Sequence, residues 1–284
     1  MSDNASALPS DTVGRIVRDV NYAILFHRFP LDQIDVLAPI VARTYGITDF
    51  DARTKIRKGW GFLERETTEE NARRVAVAIG DTAGGVAIVD NAQMRTPAAP
   101  LVITGGEITE GGVTVKLQSP KEPPRLVAWT ELGVVAVGRF SEEIIHREAG
   151  GNEQTTKQMM IGLGVFMVTG IPPIGGLSGR GKKKKEEKPV KTSRVITFGR
   201  IVTTTGEQFV FGPNHFDFSG LGAKKELNTM TNFRVLIGEL ARLSPAKLNL
   251  GARLLLDNQS LSLANYGGLR DFETELLWLM NSVR

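Results

Sequence analysis

The chain has 284 residues, of which 41% are hydrophobic and 23% charged, so a disordered or fibrous protein is excluded and two domains are expected. Cysteine is absent, which excludes disulfides, thiolate metal sites and cysteine nucleophiles. The net charge of +4 is local, because residues 180–200 hold nine basic and two acidic residues against 26 and 29 elsewhere. A broad basic surface that binds nucleic acid is therefore not expected.

Residues 1–20 are mainly small and polar, with no continuous apolar stretch of the kind that forms the centre of a targeting signal. We therefore expect a disordered leader and a cytoplasmic protein. Nowhere does the chain reach the roughly 18 continuous apolar residues of a membrane helix, so no transmembrane span is expected.

Residues 21–91 predict a small domain with the element order strand, helix, helix, strand, helix, strand. Tyr22–Phe26 predicts the first strand, and Gly46 ends the helix that follows it. Thr48 or Asp49 can cap the second helix, and Thr67 and Glu70 have the spacing of a capping box for the third. Val86–Val89 predicts the last strand. Because this segment holds all the elements of a sandwich, we expect it to fold alone.

Several residues of this segment resemble the C-terminal domain of the bacterial ribosomal stalk protein. They are Phe50-Asp51-Ala52-Arg53, Gly59, Phe62-Leu63 and Thr68-Glu69-Glu70-Asn71-Ala72. The same α/β sandwich occurs in the protease adaptor ClpS. The resemblance implies a non-enzymatic module that presents a helical surface to a partner protein. The Asn-Asp pair of the adaptor's pocket is replaced by His27-Arg28-Phe29-Pro30, so binding of destabilising N-termini is not implied.

The stalk domain carries exposed lysines on its second helix, and this helix offers Arg53, Lys55, Arg57 and Lys58, which are similar in charge but not matched residue by residue. We expect them to contact the partner. Trp60, between two glycines, is either a lid on the small core or a further contact with that partner, since exposed tryptophan is enriched at binding hot spots.

Residues 92–100 are rich in Ala and Pro and predict a linker. Residues 101–284 then predict about seven strands, a helix capped by Asn228, and two further helices near 245–257 and 269–283. Antiparallel strands followed by a helix are the element order of a pleckstrin-homology-like (PH-like) barrel. The expected fold class is therefore α+β: a stalk-protein-like sandwich followed by a PH-like antiparallel barrel with C-terminal helices.

Residues 148–192 interrupt the strands of this second domain with glycines, prolines and a lysine run, which predicts a mobile insertion. Residues 159–168 are apolar but too short to span a bilayer. Lys182, Lys183, Lys184 and Lys185 form either a solvated tract or a weak contact with an anionic lipid surface.

His215 and Asp217 stand at i and i+2 of a predicted strand, a spacing that would allow half of a catalytic dyad or metal site. We expect instead that both face solvent while Phe216 and Phe218 face the core. His27 is likewise expected at the surface. We predict no catalytic residue, metal or cofactor, and favour a non-catalytic adaptor or scaffold over a membrane-surface regulator using residues 159–188 or an enzyme using His215 and Asp217.

Overall fold

The computed structural model describes residues 21–146 and 190–282. The predicted leader, residues 1–20, lies outside this part of the chain. Lys182–Lys185 and nearly all of the predicted insertion, residues 148–192, also lie outside it. The lipid contact of the four lysines therefore stays a prediction.

Residues 21–91, the N-terminal module, contain three strands and three α-helices in the predicted order. An antiparallel sheet of order β2-β1-β3 is covered by the helices. The elements are β1 (Tyr22–Phe26), α1 (Ile34–Tyr45), α2 (Asp49–Lys58), β2 (Phe62–Thr67), α3 (Glu69–Ile79) and β3 (Val86–Asp90).

The helix ends of the module follow from local chemistry. Gly46 ends α1 in the left-handed conformation, with φ at 64°, and the Thr48 hydroxyl caps α2 by accepting a hydrogen bond from the Asp51 amide. The predicted capping box at Thr67 is wrong by one residue. Thr68 caps α3, because Thr67 is still paired with Tyr22 in the sheet.

Strand β1 buries both of its faces, since successive side chains of a strand point to opposite sides. Ile24 and Phe26 pack against the helices of the module. Ala23 and Leu25 instead join the core of the residues that follow the module. Independent folding of residues 21–91 stays a prediction, but the module has a second apolar face that its own helices do not cover.

Residues 100–282, the C-terminal unit, contain a second sheet of eight strands in the described part of the chain, with helices packed on it. The path is β11-β7-β8-β9-β4-β5-β6, and β10 pairs with β4. The strands are β4 (Pro100–Ile108), β5 (Gly112–Leu117), β6 (Arg125–Ala128), β7 (Leu132–His146), β8 (Val190–Thr203), β9 (Gln208–Phe211), β10 (Asp217–Gly220) and β11 (Lys247–Leu248). The helices are α4 (Thr229–Leu243), α5 (Leu250–Leu256) and α6 (Leu269–Asn281).

The fold is therefore mixed α+β, as expected, but its second sheet is not a closed barrel. The described pairings leave an open path that ends at β11 and β6. The sheet is also not wholly antiparallel, because β4 runs parallel to β9 and β10. A run of hairpins alternates in direction only while each strand pairs with the previous one. Strands β6 and β7 follow each other in the chain but do not pair. The hairpins β4-β5-β6 and β7-β8-β9 are therefore two separate runs, and nothing requires strands of different runs to be antiparallel.

Two further boundaries differ from the sequence predictions. The helix expected near 245–257 is divided, since Lys247–Leu248 pairs with β7 as a short strand and Asn249 caps α5. The long hairpin of β7 and β8 continues to His146 and resumes at Val190, so the last residues of the predicted insertion belong to a strand.

Candidate functional site

Two of the four predicted cations of α2 are engaged inside the module. The Arg53 guanidinium donates to Asp35 of α1 at 2.5 Å and to Asp49 at 2.6 Å. The Lys55 ammonium lies 2.6 Å from a carboxylate oxygen of Glu64 on β2. The pairs with Asp35 and Glu64 tie α2 to α1 and β2, while the pair with Asp49 lies within α2, so Arg53 and Lys55 are already partnered.

The other two cations, Arg57 and Lys58, are exposed and form no ion pair with another described residue. About two turns earlier on the same helix, the Phe50 side chain is 75% exposed. Positions i, i+3, i+7 and i+8 share a broad face of a helix, so Phe50, Arg53, Arg57 and Lys58 form one surface. We call these four residues the α2 surface. Its aromatic member was not among the predicted site residues, although its helical spacing from Arg57 could have indicated it.

Of the two roles predicted for Trp60, the exposed contact with a partner is corrected, because Trp60 is buried. Its side chain is 7% exposed, and its ring centroid lies 4.6 Å from that of Tyr266 in the C-terminal unit. The next residue, Gly61, has a φ of 95° and lies under the Trp278 ring of α6. The Trp278 indole nitrogen donates to the Phe26 carbonyl at 2.7 Å. We call this contact between module and C-terminal unit the seam.

His215 and Asp217 are both exposed, as expected, while Phe216 and Phe218 are buried. His215 lies in the turn before β10 and not in the strand itself. Hydrogen bonds from the backbone and hydroxyl of Ser219 hold the pKa of Asp217 below its ordinary value. The Asp217 carboxylate therefore accepts hydrogen bonds within its own turn, from a residue two positions later. His27 is half-buried at the end of β1.

In the part of the chain that the structure describes, no three His, Asp or Glu side chains form a group that could hold a metal ion. Among the helices of residues 21–146 and 190–282, none is long and apolar enough to cross a membrane.

A cleft of about 460 Å³ opens between β2, residues 96–100 and α6, and it was not predicted. Three arginines line it: Arg65 of β2, Arg200 of β8 and Arg270 of α6, with Glu273 beside them. We call it the arginine cleft. The signal in the sequence was Arg200 itself, since it interrupts the otherwise apolar alternation of Ile196, Phe198 and Val202 on one face of β8.

Arg200 is a buried cation whose charge is poorly compensated by neighbouring groups. It is 2% exposed, its nearest carboxylate oxygen belongs to Glu273 at 3.7 Å, and its Nε has no hydrogen-bond partner among the described residues. Its guanidinium lies over the rings of Phe198 and Phe272. Burial lowers the pKa of this guanidinium, and Glu273 opposes that effect.

A second buried polar group, formed by Asn249, Tyr266 and Glu275, lies beside the seam. The Asn249 side chain exchanges hydrogen bonds of 2.8 and 3.0 Å with the backbone of Val137. The Tyr266 hydroxyl donates to Glu275, and the Leu250 amide donates to the same carboxylate at 2.8 Å. Every member of this group is hydrogen-bonded, which is the condition for burying it.

Comparison of the chain with protein-family models, with curated proteins and with solved structures gave no match in any of the three.

Proposed function

We propose that the protein is a non-catalytic adaptor whose α2 surface binds a partner protein. The observation that carries the proposal is Phe50, a large aromatic side chain left 75% exposed. About two turns further along the same helix face lie two cations, Arg57 and Lys58, that have no ion pair with any described residue. Aromatic side chains and arginine on one exposed face are the residue types enriched at protein–protein interfaces.

The partner we propose is an acidic segment with an apolar anchor residue. Arg57 and Lys58 lie at the C-terminal end of α2, where basic side chains also compensate the helix dipole. Carboxylates on the partner would pair with them, while its apolar residue covers Phe50. Arg53, paired with Asp35 and Asp49, would hold α2 against α1 and so fix the position of the surface.

The element order and the β2-β1-β3 sheet order support the proposal that residues 21–91 form a sandwich of the stalk-protein and ClpS kind. For the C-terminal unit, a PH-like relationship is proposed on element order alone, with hairpin strands preceding α4. Its parallel pairs are a departure from that pattern.

The test places a photo-crosslinking amino acid at position 50 in the full chain, in the cells that express it. The control is the same amino acid at Val77, an 83% exposed residue of α3. We expect position 50, and not position 77, to crosslink one protein through an acidic peptide. The crosslink should decrease at least several-fold in Arg57→Gln and Lys58→Gln and persist in Arg43→Gln, an exposed change on α1.

Equal crosslinking at positions 50 and 77, or a position-50 product that the two charge variants leave unchanged, would refute the α2 surface as the binding site.

A further inference from the structure

The arginine cleft holds more positive charge than its own residues compensate. Arg65 and Arg270 are exposed and make no ion pair with any described residue, and Glu273 is the one carboxylate that lines the cleft. Three guanidinium groups around one cavity repel one another unless an anion lies between them.

Arg200 gives the strongest indication of a ligand. A charge that is taken out of water needs a well-placed partner, and replacing a poorly paired buried ion by an apolar residue is often neutral or stabilising. The ion pair of 3.7 Å and the unpartnered Nε donor compensate the buried charge of Arg200 poorly, and its contacts with the Phe198 and Phe272 rings are of a kind that a Met sulfur can also make. Its donor set is instead suited to an oxyanion, which a guanidinium binds through two parallel hydrogen bonds.

The remaining wall of the cleft is largely apolar. Pro97 and Pro100 contribute to one side, and Leu276 and Leu277 of α6 contribute to another. A cavity with an apolar wall and a few converging polar groups is typical of a small-molecule site. A bare inorganic ion would leave this wall uncovered.

We propose that the arginine cleft binds an organic oxyanion, a phosphate or carboxylate group carried on a short apolar body. Arg65, Arg200 and Arg270 would hold the oxyanion, and the proline and leucine side chains would cover the apolar body. The site is separate from the α2 surface, and because Arg65 belongs to the module while Arg200 and Arg270 belong to the C-terminal unit, the ligand would bridge the two.

The test titrates the full chain with inorganic phosphate, butyl phosphate and pentanoate at constant ionic strength. The melting temperature and the NMR signal of the arginine Nε–H groups are followed. We expect butyl phosphate or pentanoate to raise the melting temperature and to shift the Arg200 Nε–H signal. Butyl phosphate should bind more tightly than inorganic phosphate by about fourfold for each methylene buried. Comparing butyl phosphate with pentanoate identifies which oxyanion the cleft prefers.

Arg65→Gln and Arg270→Gln change exposed side chains, so both variants should fold. Each should weaken binding at least fivefold, while the control Arg43→Gln binds as the wild type does. Arg200→Met should abolish binding without lowering the melting temperature of the free protein. Equal affinity in Arg65→Gln, Arg270→Gln and the control, or no advantage of the organic ions over inorganic phosphate, would overturn the proposal.

Discussion

At the scale of single residues, Glu275 and Arg200 show two ways of burying an ionisable group. Glu275 is fully buried, and its carboxylate accepts from Tyr266 and from the Leu250 amide. Arg200 is almost as buried, but its Nε has no partner in the described structure. A satisfied network rigidifies the core around it, whereas an unsatisfied buried donor calls for an explanation, which for Arg200 we propose is the ligand of the arginine cleft.

Glu275 should make the stability of the protein depend on pH. Burial raises the pKa of folded Glu275 above its ordinary value of 4.5, although hydrogen bonds from Tyr266 and Leu250 oppose the shift. The folded chain therefore binds this proton more tightly than the unfolded chain. The contribution to stability is complete below pH 4.5 and declines as the pH rises through the raised pKa.

Glu275→Gln removes this titration and leaves the Tyr266 hydroxyl or the Leu250 amide without its acceptor, at a cost of about 1–3 kcal/mol. The free energy of unfolding, measured by urea denaturation between pH 4 and pH 8, should fall further below that of the wild type as the medium becomes more acidic. Glu122→Gln, an exposed loop change, is the control. Parallel pH profiles for the wild type and Glu275→Gln would show that Glu275 has no such role.

At the scale of elements, α2 is held by its own cap. The Thr48 hydroxyl accepts from the Asp51 amide at 3.1 Å. Thr48→Ala should therefore lower the free energy of unfolding by about 1 kcal/mol. Thr54→Ala, within the same helix, is the matched control and should be neutral or slightly stabilising, because Ala has the higher helix propensity. Equal losses in the two variants would mean that the effect is not one of capping.

Helix ends could be predicted from the sequence, whereas strand pairings between distant residues could not. Gly46, Thr48 and Asn228 mark helix ends through contacts within three or four residues, so these ends were predictable. The pairing of β4 with β9 joins residues more than a hundred positions apart, and nothing local indicates it. The short strand at Lys247–Leu248 depends on β7 in the same way.

The candidate sites also differ in whether their residues are close together in the sequence. The cations of α2 could be predicted because one helix carries all four. Which of them form ion pairs could not, because their partners Asp35 and Glu64 lie on other elements of the module. Arg200 could have been noticed in its apolar strand, but its meeting with Arg65 and Arg270 could not be predicted, since the three arginines come from β8, β2 and α6. The two roles predicted for Trp60 could not be separated from the sequence, because its partner Tyr266 is distant in sequence.

At the scale of the whole molecule, the two sheets share a core. Ala23, Leu25, Trp60 and Phe62 of the module belong to the same buried cluster as the strands and helices of the C-terminal unit. The hydrogen bond from Trp278 to the Phe26 carbonyl satisfies a buried polar group across this contact. The module and the C-terminal unit are therefore expected to unfold together and not as separate transitions.

The close packing of Gly61 against Trp278 allows the contact at the seam to be tested by mutation. A Cβ atom at position 61 would lie 2.2 Å from the Trp278 ring, and the φ of 95° disfavours any side chain there. Gly61→Ala should thus combine backbone strain with a clash, each costing about 1–3 kcal/mol. Trp278→Ala should cost about 3–5 kcal/mol, because it empties a buried aromatic position.

In the double variant the clash has no partner, so Gly61→Ala contributes only its backbone strain, in addition to the loss from Trp278→Ala. The loss in the double variant should then be about 1–3 kcal/mol smaller than the sum of the two single losses, measured by urea denaturation. Gly222→Ala, whose φ of 56° is also positive but whose added Cβ would meet no atom within 4 Å, controls for strain alone and should be additive with Trp278→Ala. Strict additivity for Gly61→Ala as well would mean that the module and α6 are not packed against each other as the seam requires.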